Sequence, residues 1–451
     1  MAFSVSANVT ESEVNVNNNT SKVTVQLTLN STYGSWFGDT KTGTITIDGT
    51  SYNISYNFPS GTTSKNIGSA TKTVTHNDDG SKTANWSYSI PTNTSQGTKT
   101  GSGSITLTTI ARASTPSVSS SFVNLGSSVT INTNRASSNF THTLSYSIGS
   151  LTNQTSGLAA SSNVGASTTF TPPASLANQF PNATQGTVTI TCKTYNGSTL
   201  LGTKTCTLTV NTINNSTYQP TISLAATASN QFNSKYLNKV SGVTIAATNA
   251  TKYSATVSSY IITGGTKSST NASLVVSPIN ITMSSATQTV TVNGTVTDSR
   301  GYQGTGSTTV TVYRYNVPQI TAYSIQRCTS DGTLATNGTY AKVGLTYTYQ
   351  NDGYSNSMSV HRVTINSTNY TITTTETTSN GVVTGTGTAV VGGGNLNINN
   401  HYAYTITCTD AVGKTTSVSG TLQTSSRIIN VRPRWFRNSL WEICRNRQFS
   451  R

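Results

Sequence analysis

The sequence predicts an all-β protein made of several consecutive two-layer modules. Apolar residues such as Trp86, Tyr88 and Ile90 alternate with polar ones along many short segments. This period of two is typical of strands that bury one face. Turn residues separate the segments, and Asp48-Gly49 has the composition of a two-residue type I′ hairpin turn. At 451 residues the chain exceeds the size of one core, so about three to five modules are expected.

The order of these segments predicts tandem immunoglobulin-like β-sandwich domains in an elongated array. A new set of alternating segments begins after each of three short proline-containing stretches, which we call seams: Thr115-Pro116, Gln219-Pro220 and Val317-Pro318. In addition, the sequence Thr297-Asp-Ser-Arg-Gly301 recurs as Thr409-Asp-Ala-Val-Gly413. About seven short strands per ~100 residues are typical of such sandwiches, although the Cys…Trp…Cys pattern of antibody domains is absent. The expected parts are an N-terminal β-sandwich at 1–112, immunoglobulin-like domains at 113–212, 213–314 and 315–430, and a basic tail at 431–451.

Composition alone would also allow a disordered chain, because only 9% of residues are charged and 33% are hydrophobic. Disordered chains are poor in β-branched and aromatic residues, whereas Val, Ile, Thr and Tyr recur here at every second position between turns. We therefore expect a folded β protein, with one short helical turn between Pro172 and Pro181.

The net charge of +15 does not indicate a nucleic-acid-binding protein. Residues 427–451 hold seven Arg and one Glu, a net of +6, which leaves +9 spread over the other 426 residues. No basic helix or stripe with interleaved aromatic residues accompanies this charge.

Residues 1–5 lack the basic start and apolar core of a signal peptide, and no stretch approaches the ~20 apolar residues of a membrane span. We expect synthesis in a cytoplasm, no nucleic-acid partner and no membrane insertion.

The titratable residues predict no catalytic, cofactor or metal site. The segment 76–80, His-Asn-Asp-Asp-Gly, has three Asn/Asp residues in a row but lacks the bidentate Glu and the length of a calcium loop. A hairpin turn is the favoured interpretation. No histidine has a carboxylate or thiol at the spacing of a ligand set or a catalytic triad. The four histidines are His76, His142, His361 and His401.

The five cysteines indicate neither a disulfide framework nor a zinc site, because no Cys-x-x-Cys pair occurs. We interpret them as small buried apolar residues. Cys192 and Cys206 lie on the two arms of one predicted hairpin, so a cross-strand disulfide stays open for an oxidising exterior.

An aromatic loop is the one candidate ligand site. Tyr33, Trp36 and Phe37 stand among glycines in a predicted loop, where an exposed ring could stack on the face of a sugar. The alternative is that Trp36 fills the core of the first sandwich.

Four stretches carry a resemblance to a known family. They are 73–83 and 101–116 in the first module and 131–144 and 189–192 in the second. On these residues the chain resembles the minor structural proteins of siphoviruses that infect Gram-positive bacteria, over most of residues 1–430. The resemblance implies a non-enzymatic virion component of the tail, tail tip or fibre, placed for contact with the host surface. The resemblance names no ligand, and no functional residue is carried over. For a virion component we expect other phage structural proteins as partners, and host cell-wall carbohydrate and further copies of the chain are the other candidate partners.

Two other function classes fit the sequence less well. A bacterial cell-surface adhesin built of similar modules would be expected to show a signal peptide and a wall-anchoring tail. A polysaccharide-degrading enzyme would need a cleft with paired carboxylates, whereas the twelve Asp and Glu residues are scattered along the chain.

The basic tail differs from everything before it. Residues 434–451 are rich in Arg and Trp, and one set of codons for them, read one base later, encodes Asp-Gly-Ser-Gly-Ile-Ala-Tyr-Gly and more. That product is similar to the glycine-rich stretch that follows the last sandwich in the family. We hypothesise that residues 434–451 are out of frame, from one extra base in a C-run at Pro433. The alternative is a genuine basic tail that binds an acidic partner.

The nucleotide sequence of the gene tests this hypothesis. We expect a run of cytosines at the Pro433 codon and a glycine-rich reading one base later. Codons that do not permit the shifted reading would contradict the hypothesis and support a genuine basic tail.

Overall fold

The protein is almost entirely β-structure. The structure, a computed structural model, describes residues 2–32, 34–92 and 95–425. Within these ranges the elements are strands and one 3-10 helix, Ala174–Gln179, which lies where the sequence predicts a helical turn. No helix in the described ranges has the length and apolarity needed to cross a bilayer. The prediction of tandem β-sandwiches is confirmed.

The chain divides into two compact units. Unit 1 comprises Met1–Pro220, Thr251–Val257 and Asp298–Tyr302. Unit 2 comprises Thr221–Ala250, Ser258–Thr297 and the described residues from Gln303 onward. Unit 1 therefore holds the first and second sandwiches, and unit 2 holds the fourth and most of the third.

The first sandwich has seven strands, β1 (Ala2–Asn15), β2 (Thr20–Thr32), β3 (Phe37–Ile47), β4 (Thr50–Phe58), β5 (Ser64–Thr75), β6 (Thr83–Pro91) and β7 (Thr98–Thr106). The sheet orders are β1-β2-β5 and β4-β3-β6-β7. Four alternate residues of β2 are fully buried: Val23, Val25, Leu27 and Leu29. Because both sheets present such a face, the core lies between them.

The second sandwich has eight strands, β8 (Ser117–Val118), β9 (Phe122–Asn124), β10 (Val129–Asn132), β11 (Phe140–Ile148), β12 (Leu151–Gln154), β13 (Ser167–Phe170), β14 (Gln185–Asn196) and β15 (Thr199–Asn211). The sheet orders are β13-β10-β8 and β12-β11-β14-β15-β9. β9 runs parallel to β15, and the other pairs are antiparallel. Tyr146 and Phe170, with ring centroids 4.9 Å apart, fill the centre of the core.

The third sandwich has strands β16 (Thr221–Ser229), β17 (Tyr236–Leu237), β18 (Gly242–Ala250), β19 (Val257–Gly264), β20 (Lys267–Ser269), β21 (Ser273–Val276), β22 (Thr287–Asp298) and β23 (Gln303–Tyr313). Its sheets are β16-β18-β21 and β17-β23-β22-β19-β20. The core positions between these sheets are occupied by aliphatic side chains such as Ile245, Val292 and Val312.

The fourth sandwich has strands β24 (Gln319–Cys328), β25 (Tyr340–Gln350), β26 (Met358–Ile365), β27 (Thr368–Thr371), β28 (Thr374–Ser379), β29 (Val382–Val391), β30 (Tyr402–Asp410) and β31 (Thr415–Leu422). Its sheets are β24-β25-β29-β28 and β27-β26-β30-β31. Buried Tyr347 of β25 and Ile406 of β30 belong to one core between them.

A turn with glycine in fourth place explains the repeated Thr-Asp-x-x-Gly motif. The Gly301 amide donates to the Asp298 carbonyl, and the Asp298 amide donates to the Tyr302 carbonyl. The same two bonds form at 410–414 and 329–333. The φ of Gly301 is 85° and that of Gly413 is 86°, a left-handed conformation that glycine adopts without steric cost. Such loops end in a bulge and are common in hairpins.

Two turns predicted as hairpins have different outcomes. Asp48 and Gly49 have φ of 43° and 80° and join β3 to β4 with Ile47 opposite Thr50, so the two-residue hairpin is confirmed. The turn at 77–80 is not a hairpin, because β5 and β6 belong to different sheets. It crosses from one layer of the sandwich to the other.

We expect Gly80→Ala to destabilise the first sandwich far more than Gly49→Ala. Both glycines have a φ near +80°, so each substitution brings about 1–2 kcal/mol of backbone strain. A Cβ at Gly80 would also stand 1.8 Å from the Ile110 carbonyl oxygen, whereas nothing lies within 4 Å at Gly49. The clash should add about 1–3 kcal/mol.

Urea denaturation followed by tryptophan fluorescence measures the difference, with Trp435 and Trp441 replaced by Phe in every variant. Equal losses of stability for the two substitutions would show that Gly80 does not pack against Ile110.

Candidate functional site

The two described aromatic residues of this loop in the first sandwich differ in exposure. Trp36 is 52% exposed, whereas Phe37 is 4% exposed. The Phe37 ring packs edge-on against Phe3 and Tyr56, with centroids 5.7 and 6.0 Å away. Tyr33 lies outside the described residues. The interpretation that Trp36 fills the core is wrong, because Phe37 occupies that place, so a sugar-stacking role stays a prediction for Trp36 and is not available to Phe37.

A second aromatic pair lies on β6. The rings of Trp86 and Tyr88 stack with centroids 6.4 Å apart and planes at 12°. A Cβ at Gly101 would lie 2.6 Å from Tyr88, and one at Gly103 would lie 2.7 Å from Trp86. The rings therefore cover two glycines of β7 and pack against the core. Their role is to close the sandwich.

The seam after the first sandwich is held by side chains on both sides. The Arg112 guanidinium donates to the Val16 carbonyl at 2.8 Å and to the Leu201 carbonyl at 3.3 Å. Val16 follows β1 and Leu201 lies on β15, so one side chain connects the two sandwiches of unit 1. Asn196 adds a bond to Asn17 at 3.0 Å. The two sandwiches of unit 1 are therefore hydrogen-bonded to each other at this seam.

One buried histidine bonds to this seam, and a second has the same kind of partners within the first sandwich. His142 Nδ1 lies 2.9 Å from the Val164 carbonyl and its Nε2 lies 2.9 Å from Ser114 Oγ. Because a carbonyl can only accept, Nδ1 carries the proton and Nε2 faces the serine hydroxyl. His76 repeats this arrangement with Gly80 and Ser21, at 2.9 and 2.8 Å. Both imidazoles are held by structural partners.

Arg300 organises a second polar centre in unit 1. Its guanidinium donates to the carbonyls of Ala177, Lys252 and Tyr253 at 2.9, 3.0 and 2.7 Å. Asp298 Oδ2 is 3.9 Å from the guanidinium, and its Oδ1 accepts the Arg300 amide at 3.0 Å. Burial lowers the pKa of Arg300, and the Asp298 charge opposes that shift. The pair holds the 251–257 and 298–302 segments on the second sandwich.

Unit 2 has a comparable centre where its two sandwiches meet. Arg314 makes a bidentate pair with Asp352, with both N···O distances at 2.9 Å. Tyr315 donates to Asp410 Oδ2 at 2.8 Å, and Asn356 donates to the same oxygen at 3.1 Å. Burial, together with the hydrogen bond to Asp410, raises the pKa of Tyr315 above the ordinary tyrosine range. Asp410, from the repeated motif, thus fixes both a turn and the junction.

An apolar cluster surrounds these polar groups in unit 2. Tyr354 is 1% exposed and Leu237 is fully buried, and the ring of Phe232 meets Tyr354 edge-on at 6.3 Å. Asn233 donates to the Tyr354 carbonyl at 2.9 Å. The junction is therefore a small core that excludes water from the Tyr315–Asp410 bond.

Seven other carboxylates of the described residues have structural or surface partners. No group of three or more His, Cys, Asp or Glu side chains in the described part of the chain could hold a metal ion. The partners are Thr108 for Glu11, Lys22 for Glu13, Lys41 for Asp39, Lys82 for Asp48, Ser81 for Asp79, Thr333 for Asp331 and Tyr347 for Glu376.

The cysteines are packing residues at the described positions. Cys192, Cys328 and Cys408 are fully buried, and all four described cysteines are free. Burial raises the pKa of Cys192 and of Cys408 to about 11. Cys192 lies opposite Lys204, while Cys206 lies opposite Ile190, so the two thiols are diagonal neighbours. Diagonal residues are about 7–8 Å apart, which is too far for an unstrained disulfide.

Sequence reasoning missed the junction residues. Arg112, Arg300 and Tyr315 each lie in a seam or a turn, where alternation gives no signal. The available signal was position: a charged or aromatic residue within a few positions of a seam proline or a repeated turn. The aspartates of the repeated Thr-Asp-x-x-Gly motif, Asp298 and Asp410, are both buried, with 1% exposure each.

We expect Tyr315→Phe to destabilise unit 2 by about 1–3 kcal/mol, because Asp410 would lose one of its buried hydrogen-bond donors. Tyr313→Phe is the matched control, since the described residues offer its hydroxyl no partner and its ring contact with Tyr354 is kept. Scanning calorimetry should show a lower melting temperature for the first variant and little change for the second. Identical melting of both variants would contradict the role assigned to the Tyr315 hydroxyl.

Several solved structures of modular β proteins are similar to this chain at low identity. A Ca²⁺-stabilized adhesin that helps an Antarctic bacterium reach out and bind ice is 16% identical, covering 94% of this chain and 98% of that one, with a TM-score of 0.29. Extracellular cadherin domains 1–4 of protocadherin gamma B7 are 13% identical, covering 69% and 91%, with a TM-score of 0.29. The D1–D4 ectodomain fragment of ICAM-5 is 10% identical, covering 94% and 100%, with a TM-score of 0.30. Scores this low carry no information on ligands.

Family membership is established by sequence. No curated protein matches the chain. A family profile described as "Siphovirus protein of unknown function (DUF859)" matches residues 2–410, which span all four sandwiches up to the Asp410 turn. The chain belongs to this siphovirus protein family.

Proposed function

We propose that this protein is a non-enzymatic structural component of the siphovirus virion, located in the tail or at its tip or fibre, where it contacts the host surface. The observation that carries the proposal is the family match over residues 2–410, combined with an architecture of consecutive sandwiches. Other phage structural proteins and further copies of this chain are its proposed partners.

The use of the polar side chains supports a mechanical role. Buried ionisable groups such as Asp298, Arg300 and Asp410 hydrogen-bond to backbone or to junction residues. An acid–base enzyme needs groups whose protons face a substrate, whereas these groups face the seams. Packed seams suit a protein that keeps a contact site at a set distance from its attachment point.

Trp36 supports a contact with carbohydrate of the host wall. Its indole is half exposed and lies over Gly38, where a Cβ would be 3.6 Å from the ring. Asp39 and Lys41 form a neighbouring ion pair at 2.5 Å. A flat ring beside polar groups is a common way to bind a sugar face and its hydroxyls.

Immunogold labelling of intact particles tests the virion assignment. We expect antibodies raised against this chain to label the tail, and the protein to co-purify with particles through a density gradient. Label on the bacterial surface, with none on particles, would favour an adhesin. Release of reducing sugar from isolated host wall would contradict a non-enzymatic role.

We expect Trp36→Ala to weaken binding of the purified protein to isolated host cell wall by about threefold to tenfold, because a stacked ring contributes about 0.5–1.5 kcal/mol. Phe122→Ala is the matched control, since Phe122 is a 60% exposed aromatic residue of the second sandwich. Sedimentation with washed walls measures both variants. Equal binding by Trp36→Ala and wild type would remove Trp36 from the contact.

A further inference from the structure

The third sandwich contains a cavity of about 500 Å³ between its two sheets. Aliphatic side chains from both layers line it: Val243, Ile245, Leu274, Val292, Val310 and Val312. The rim is formed by the β19–β20 turn on one side and by the segment after β21 on the other. Thr266, Lys267 and Ser277 are exposed at this rim, so the cavity is open to solvent there.

Residue size explains why the protein leaves this space unfilled. Rings occupy the cores of the other three sandwiches, as Phe58 does in the first, Phe170 in the second and Tyr347 in the fourth. Among the described residues, the buried positions between the sheets of the third sandwich hold only aliphatic side chains.

The polar residues that line the cavity, Thr266, Lys267, Ser277 and Asn280, are all exposed, and the buried wall is aliphatic. The inner part of the cavity therefore favours an apolar occupant. Water needs two to four hydrogen-bond partners in a cavity, and the Val, Ile and Leu side chains offer none. An empty cavity loses the dispersion contacts that close packing provides. A volume of ~500 Å³ lies within the roughly 300–1,000 Å³ range of small-molecule sites.

The charge at the rim selects the polar end of the occupant. Lys267 lies opposite Gly264 across the two-residue turn, is exposed, and has no hydrogen bond or ion pair with any described residue. The sequence contains no Asp or Glu between Asp79 and Asp298. The segments of the third sandwich that belong to unit 2 therefore hold no carboxylate that competes for Lys267. An anionic group at the rim would meet one free cation.

We propose that this cavity binds a single-chain amphiphile, with its alkyl chain between the sheets and its anionic head paired with Lys267. The ligand class is an alkyl carboxylate of medium length. The proposal adds a small-molecule site to a protein whose proposed function is structural.

Isothermal titration calorimetry of the full chain with sodium decanoate, below its micelle concentration, tests the proposal. We expect one site with a negative heat-capacity change, as burial of apolar surface requires. Val243→Phe and Val310→Phe should each abolish the site by filling the cavity. Two filling variants are used, each checked by circular dichroism, so that one misfolded variant leaves the test intact.

Lys267→Met tests the head-group contact. It should weaken decanoate binding about threefold to fivefold, as expected for one exposed ion pair, while leaving the binding of neutral decanol unchanged. Lys204→Met, on the exposed face of the second sandwich, is the matched control and should bind as wild type does. The proposal is overturned if wild type fails to bind decanoate, if a folded filling variant binds equally well, or if Lys267→Met binds decanoate as wild type does.

Discussion

Burial of alternate side chains between two sheets is the interaction on which this structure depends. A chain with 9% charged residues has few ion pairs to use, and exposed pairs contribute little in any case. The apolar faces of strands such as β2 and β14 therefore supply most of the stability, at roughly 25 cal/mol for each Å² removed from water. Polar Thr, Ser and Asn residues fill the outward positions and keep the surfaces soluble.

The junctions between sandwiches need interactions that alternating apolar side chains do not provide. Where one sandwich ends and the next begins, the chain leaves its sheets and backbone groups lose their ladder partners. In unit 1, Arg112 and Arg300 donate to backbone carbonyls at such points. In unit 2, the junction uses a bidentate ion pair and a tyrosine–aspartate bond inside an aromatic cluster. Both solutions place a long, multi-donor or aromatic side chain at a seam.

Much of the fold could be predicted because a period of two is a direct consequence of strand geometry. The buried alternation at Val23–Leu29 and the Asp48-Gly49 turn follow from local rules. The sequence could not decide whether Trp36 or Phe37 is the buried residue, because two adjacent aromatic residues fit either face of a strand equally well. The register of the β3–β4 pair also shifts between Phe37 and Lys41. The turn at 77–80 and the junction bonds depend on residues far apart in sequence, which local patterns do not encode.

The long acid-free stretch of the chain has a consequence for the electrostatic potential around the second sandwich. Between Asp79 and Asp298 the sequence has no carboxylate. The Lys and Arg side chains of residues 113–212, which are Arg135, Lys193 and Lys204, therefore have no acidic counterpart within the same sandwich. Salt screens such a potential over about 10 Å at 0.1 M, so this sandwich attracts anions from solution most strongly at low ionic strength.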